Sequence, residues 1–190
     1  MALIKENDLT EGLSGKFGRK IVFRVVKGVT VAARRPTTEG RVLTETQLAH
    51  RERFRRAASY AKAKLLDPAA KADYKKMAGN GAFASAFAAA VKDYMTAPEI
   101  LSINVADYNG AAGSTIPIVV SDNGKIIRVK VSIVRADNTV IESGEASLTN
   151  GDVEWKYLTT QALPSLAGNK IIVAAIDRPN NETVFEKVLV

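Results

Sequence analysis

Residues 44–66 read TETQLAHRERFRRAASYAKAKLL, and the organisation of the chain turns on reading this stretch as one helix. At about 100° per residue, Leu43, Gln47, His50, Phe54, Ala57, Ala58, Ala61 and Leu65 fall within one sector, which predicts an amphipathic helix. Small residues in the middle of that sector let a second element approach closely, so it reads as a packing face that includes His50 and Phe54. Arg51, Arg55 and Lys62 line one flank, Arg53 and Lys64 line the other, and Arg56 points away. A helix that lies in a DNA groove more often gathers its cations on one side. Here they form a collar around the stripe. The plainer reading is a core helix with a solvated basic surface; the sharper one is an electrostatic footprint for phosphate. Thr44 as N-cap, with Gln47 three residues on, completes a capping box.

Upstream, residues 20–26 and 29–34 are β-branched runs separated by Lys27-Gly28. That pattern predicts a two-residue hairpin with Gly28 at positive φ. Pairing Val26 with Val29 puts Val22, Arg24, Val26, Val29, Val31 and Ala33 on one face. Ile21, Phe23, Val25, Thr30, Ala32 and Arg34 take the other. Both faces are largely apolar. A lone hairpin of this kind is not stable in water and needs cover from the helices, from another chain, or from both. The preceding GLSGKFGRK (12–20) has glycines three apart; it does not match a phosphate-binding loop and reads as a glycine-rich lead-in.

Downstream, Asp67-Pro68 starts a second helix with Ala70, Tyr74 and Met77 inward, ended by Gly79-Asn80-Gly81. A third, residues 82–95, places Phe83, Phe87, Val91 and Tyr94 along one stripe. From Glu99 the period becomes alternating. Seven strands are expected, at 99–106, 115–121, 125–135, 139–147, 152–160, 170–177 and 182–190, with Trp155 filling the core between sheets. The predicted fold is α+β in two domains: a basic β-hairpin plus three-helix module over 1–96, and a seven-stranded antiparallel immunoglobulin-like sandwich over 97–190.

Charge follows the same division. Residues 1–96 carry 19 Lys and Arg against 9 Asp and Glu, a net +10; residues 97–190 carry 8 against 11, a net −3. Such asymmetry points to an anionic neighbour for the first half, or to head-to-tail association of basic and acidic halves.

The sequences VKVSIVRADNTVIESGEASLTNGDVEWKYLTT (129–160) and IIVAAIDRPNNETVFEKVLV (171–190) resemble bacterial immunoglobulin-like domains of surface and phage proteins. In that pattern an aromatic strand is followed by one that ends in an Asp-x-x-Gly-Asn type turn. Here the turn is Asp177-Arg178-Pro179-Asn180-Asn181, with Asn where Gly is usual. The resemblance implies a fold and no function. The N-terminal part, with VFR (22–24), RRP (34–36) and Q-x-x-x-RERF (47–54), resembles small uncharacterised bacterial proteins of unknown function.

Chemistry-bearing constellations are sparse. The chain has no cysteine and one histidine, His50, so neither a zinc site nor a histidine-assisted nucleophile is indicated. Asp177, Asn180 and Asn181 could offer oxygens to Ca²⁺, but EF-hand spacing is missing and a capped β-turn is the preferred reading. The expectation is a protein that is not an enzyme, with no cofactor, no metal and no small-molecule substrate. No signal peptide is visible, and no apolar run is long enough to span a bilayer, which fits a cytoplasmic or virion-associated setting.

The function expected is structural or assembly work through protein contacts, as a homo-oligomer or with a protein partner. The alternative is sequence-nonspecific nucleic-acid binding by Arg24, Arg34, Arg35, Arg51, Arg53, Arg55, Arg56, Lys62 and Lys64. Against that alternative stand Phe54, turned into the packing stripe, and Tyr60, a poor stacking platform by itself. A further alternative, a carbohydrate-binding or adhesion module, draws on the immunoglobulin-like half.

Overall fold

The computed structural model describes residues 2–4, 10, 12–26, 28–36, 42–151 and 153–189. Among these residues the fold is mixed α+β, with three α-helices and three antiparallel four-stranded sheets. Two compact units emerge, Met1–Thr44 and Glu45–Val190. The boundary expected at 96/97 falls inside the second unit. Lys27 of the expected turn and residues 37–40 of the expected linker lie outside the described residues.

The first unit is a sheet of β1 (Ala2–Ile4), β2 (Gly15–Phe17), β3 (Ile21–Val26) and β4 (Val29–Arg34), in the order β1-β4-β3-β2. Its central hairpin has the expected register, Val26 opposite Val29 and Val22 opposite Ala33, with Gly28 at φ 79°. The hairpin is widened in its own plane rather than left alone. Gly15 pairs with Phe23 and Phe17 with Ile21, while β1 adds along the other edge. In-plane widening satisfies backbone groups but does not cover a face. Phe17 (67% exposed), Ile21 and Val25 therefore share one open apolar face.

The second unit opens with α1 (Glu45–Lys64), α2 (Pro68–Met77) and α3 (Ala86–Met95). Asp67 caps α2 by accepting from Ala69 N at 3.0 Å, with Pro68 at the first turn, as expected. A five-residue π-turn, Ala78–Ala82, with Gly81 at φ 74°, delays α3. Ser85 then caps it through Ala88 N, so α3 starts four residues later than the periodicity suggests. It buries Ala89, Ala90, Val91 and Asp93, whereas Phe87 stays substantially exposed.

Ala57, Ala61, Ala70, Tyr74, Ala89, Ala90 and Val91 form the helical core. At 10 residues against 20, α3 is half as long as α1 and packs along only the C-terminal half of it. This corrects the expected packing stripe: Ala57 and Ala61 are buried, while His50 and Phe54 are exposed.

The remaining strands are β5 (Glu99–Ile103), β6 (Thr115–Ser121), β7 (Ile126–Val134), β8 (Val140–Glu145), β9 (Ser147–Asn150), β10 (Glu154–Leu158), β11 (Lys170–Asp177) and β12 (Glu182–Val188). They form two sheets, β5-β6-β10-β9 and β12-β11-β7-β8. The run expected as one strand over 139–147 is two. Ala146 N still donates to Val129 O, but Ser147 already lies opposite Lys156, so the chain changes sheets at this point. Strict alternation sends Ile116, Ile118 and Val120 from one sheet, and Val129, Val131, Ile133, Ile171, Val173 and Ala175 from the other, into one core with Trp155 and Tyr157. Each of these valines and isoleucines contributes about 1.5–3 kcal/mol by leaving water, so this core carries most of the stability. Among the described residues no helix is long and apolar enough to cross a membrane.

The alanines of α1 set how closely α3 can approach. Ala61→Leu, at a fully buried position, should destabilise by about 1–3 kcal/mol through overpacking. Ala63→Leu on the exposed face should shift the thermal midpoint little, so the two midpoints measured side by side check the packing.

Candidate functional site

The nine cations singled out in the sequence are all exposed. Arg24 lies on β3, Arg34 ends β4 and Arg35 follows it, all in the first unit; the other six belong to α1 in the second. On α1, Glu52 accepts from Arg55 at 2.8 Å and from Arg56 at 3.3 Å, and the Arg55 hydrogen bond, with Arg56, holds its carboxyl below the usual range. Lys64 sits 5.9 Å from the Tyr60 ring centroid. Arg51, Arg53 and Lys62 have no carboxylate partner among the described residues. Phe54, 51% exposed, stands among these cations rather than in a packed face. The α1 surface thus offers free positive charge and one accessible aromatic ring.

A second constellation was not visible in the sequence. Asp93 from α3, Asp122 from the turn between β6 and β7, and Asp177 at the end of β11 each place one carboxylate oxygen within 4.8 Å of the others. Local chemistry positions each of them. Asp122 accepts from Gly124 N at 3.2 Å and so shapes its own tight turn. Asp177 accepts from Asn181 N through Oδ1 at 2.6 Å and from Asn181 Nδ2 through Oδ2 at 2.7 Å, the capped turn that the sequence led us to expect. Asn181 Nδ2 also reaches the carbonyls of Asp93, Tyr94 and Thr96 at 3.2–3.4 Å, which ties this turn to the C-terminal end of α3.

Asp93 and Asp177 are fully buried. Asp93 Oδ2 accepts from Tyr74 Oη at 2.5 Å, and the Tyr60 and Tyr74 hydroxyls lie 3.1 Å apart. Arg178, the nearest guanidinium, pairs with Asp73 and lies over the Tyr74 ring, 5.2 Å from its centroid. Burial pushes the Asp93 carboxyl up to about 6; the Tyr74 hydrogen bond and Arg178 oppose that shift, while Asp122 and Asp177 add to it. Burial likewise raises Asp122 and Asp177. Tyr74 is raised too, by burial and by its hydrogen bond to Asp93. The donors are all hard oxygens, a set suited to a hard cation or to a shared proton.

No protein-family model and no curated protein matches the chain. Among solved structures, a crystal structure of an engineered protein is similar over 47% of this chain at 16% identity, with a TM-score of 0.32. The chain spans 19% of that protein's length, and a likeness this weak carries no argument.

In metal-free buffer Asp93 makes stability depend on pH in a defined direction. Its folded value of about 6 lies above the ordinary 3.8, so its contribution is complete below about pH 4 and is lost as pH rises through about 6. Tyr74, Tyr60, Asp122, Asp177 and Arg178 surround the group and modulate that loss. Asp93→Asn does not ionise. Moving from pH 5 to pH 7.5 should favour the variant over the parent by about 1.4 kcal/mol, read by urea denaturation of both proteins at the two pH values.

Proposed function

We propose that the chain is a non-catalytic assembly protein, its C-terminal strands an immunoglobulin-like sandwich and its N-terminal sheet a docking element for a second copy. The observation that carries this reading is the open face of Phe17, Ile21 and Val25 on the first unit. Apolar surface of this kind gains about 25 cal/mol per Å² when it leaves water. The docking element is narrower than the N-terminal ninety-six residues; it is the sheet of residues 1–44.

Charge complementarity selects the occupant. Lys16 and Arg24 project from the opposite face of the same sheet, and with Arg19 and Lys20 they surround the apolar face with positive charge, which disfavours pairing of two such sheets. On β12, the edge strand of its sheet, Val184 and Val188 are each more than half exposed and alternate with Glu182 and Glu186. Apolar-basic against apolar-acidic gives a head-to-tail contact, which propagates into rings or filaments. The two-sheet core with its buried Trp155 and Tyr157 supports the sandwich reading. The exposed setting of the sole histidine, His50, supports a non-catalytic one.

Light scattering after size exclusion should show mass rising with concentration for the parent. Phe17→Glu and Val184→Lys should each return it toward monomer. A parent that stays monomeric at high concentration sinks the proposal.

The exposure of Phe54 between Arg51 and Arg53 favours nucleic acid as a second reading, since an accessible ring beside unpaired cations is what base stacking uses. Binding of the full chain to single-stranded DNA should then weaken along a log–log salt slope of several units. Phe54→Ala should lower affinity by roughly tenfold if stacking is worth about 1–3 kcal/mol per base. No binding at low salt removes this reading.

A further inference from the structure

We propose that Asp93, Asp122 and Asp177 form a site for one divalent cation, preferentially Ca²⁺, that clamps α3 to the turns of the two sheets. The three carboxylates arrive from separate elements, and one oxygen of each lies within 4.8 Å of the other two. Three oxygens no more than 4.8 Å apart fit within a circle of about 2.8 Å radius, so one ion can reach all three at the roughly 2.3–2.6 Å of Ca²⁺–oxygen bonds, and the irregular set suits flexible Ca²⁺ coordination better than the near-ideal octahedron that Mg²⁺ demands. The donor set has no imidazole or thiolate, which disfavours zinc and copper.

A second observation points to a ligand here. The Asp93 side chain is fully buried, yet its Oδ1 has no hydrogen-bond partner among the described residues, and neither has Asp122 Oδ1. An acceptor oxygen shielded from water and from donors loses its solvation without compensation. Asp93 Oδ2 is engaged by Tyr74, Asp122 Oδ2 by Gly124 N, and both Asp177 oxygens by Asn181. The carboxylates are thus oriented by neutral donors, which is how the shell behind metal ligands fixes them. Gly124 takes part by what it lacks: a Cβ at this position would overlap Asp93 Oδ1.

The fixed charges around the site do not neutralise it. Arg178 is committed to Asp73, and it offsets the carboxylates only in part. An open cavity of about 390 Å³ is lined by Tyr74, Asn123, Gly124, Lys125 and Arg178 among others, residues adjacent in the chain or in contact with the cluster. A cation bound to these three aspartates joins the helices to the sheets at one point. The site is independent of the assembly reading above.

The test uses the full chain stripped with chelator and then titrated with CaCl₂ or MgCl₂. Calorimetry should give one Ca²⁺ per chain, and the thermal midpoint should rise by roughly 5–10 °C at a hundredfold excess over Kd, with a weaker response to Mg²⁺. Asp122→Asn keeps an acceptor for Gly124 N and a carbonyl in the turn, so it folds; it should lose at least tenfold in Ca²⁺ affinity. Two results overturn the proposal: no stoichiometric binding with no midpoint shift at millimolar Ca²⁺, or an equal shift in parent and Asp122→Asn. If the first occurs and the midpoint rises on acidification alone, a shared proton holds the cluster instead of a metal.

Discussion

Burial of the Asp93 carboxylate where the helices meet the sheets is the constraint to which the second unit answers. Removing an ionisable group from water is costly unless donors or opposite charge replace the solvent. Tyr74 supplies one donor and is itself held against Tyr60, so α1, α2 and α3 are linked through one chain of hydroxyls. Asn181 closes the other side by bonding the carbonyls that end α3. Asp93 Oδ1 sits where a Cβ at residue 124 would lie, which dictates glycine there. The placement of one residue, Asp93, thereby constrains residues in four other elements.

Length is the second constraint, and it accounts for the surface. An α-helix advances about 1.5 Å per residue, so a ten-residue partner cannot cover a twenty-residue helix. The half of α1 beside α3 buries Ala57 and Ala61; the half beyond it carries Arg51, Arg53 and an exposed Phe54 on an otherwise continuous amphipathic pattern. The same apolar periodicity therefore serves packing in one half and presents a surface in the other. In the first unit the equivalent limit is dimensional: strands added at β1 and β2 complete hydrogen bonding in the plane but leave a face uncovered.

Features encoded locally were legible in the sequence. The hairpin register followed from two β-branched runs around Gly28, the α2 start from Asp67-Pro68, and the Asp177 turn from its neighbouring asparagines. Features set by tertiary context were not. Three-residue β1 and β2 are too short to show a period. The sheet change at Ala146 leaves the alternation of residues 139–147 intact and so gives no break to read. His50 and Phe54 obeyed the wheel, but the wheel does not report how long the facing helix is. Asp93, Asp122 and Asp177 belong to one helix and two turns, and only folding brings them together. One local signal did exist: Asp93 continues the buried stripe of Ala89 and Ala90, a place where an aspartate is out of keeping.

Another buried carboxylate shows why the aspartate cluster differs from an ordinary one. Glu142 is 7% exposed, and its Oε2 collects three donors, Thr160 N at 2.7 Å, Thr160 Oγ1 at 2.6 Å and Gln161 N at 2.9 Å, leaving Oε1 without a partner. Charge spread over three donors on one oxygen is well compensated even when the second oxygen is bare. Asp93 receives a single donor and faces two further carboxylates. Neutral hydrogen bonds can orient three carboxylates, but they cannot cancel the mutual repulsion of three negative charges, which at these separations grows as the local dielectric falls. Only positive charge, as protons or as a cation, removes that repulsion. With Arg178 tied to Asp73 and offsetting the cluster only in part, the stability of the helix–sheet junction is linked to the pH of the solution.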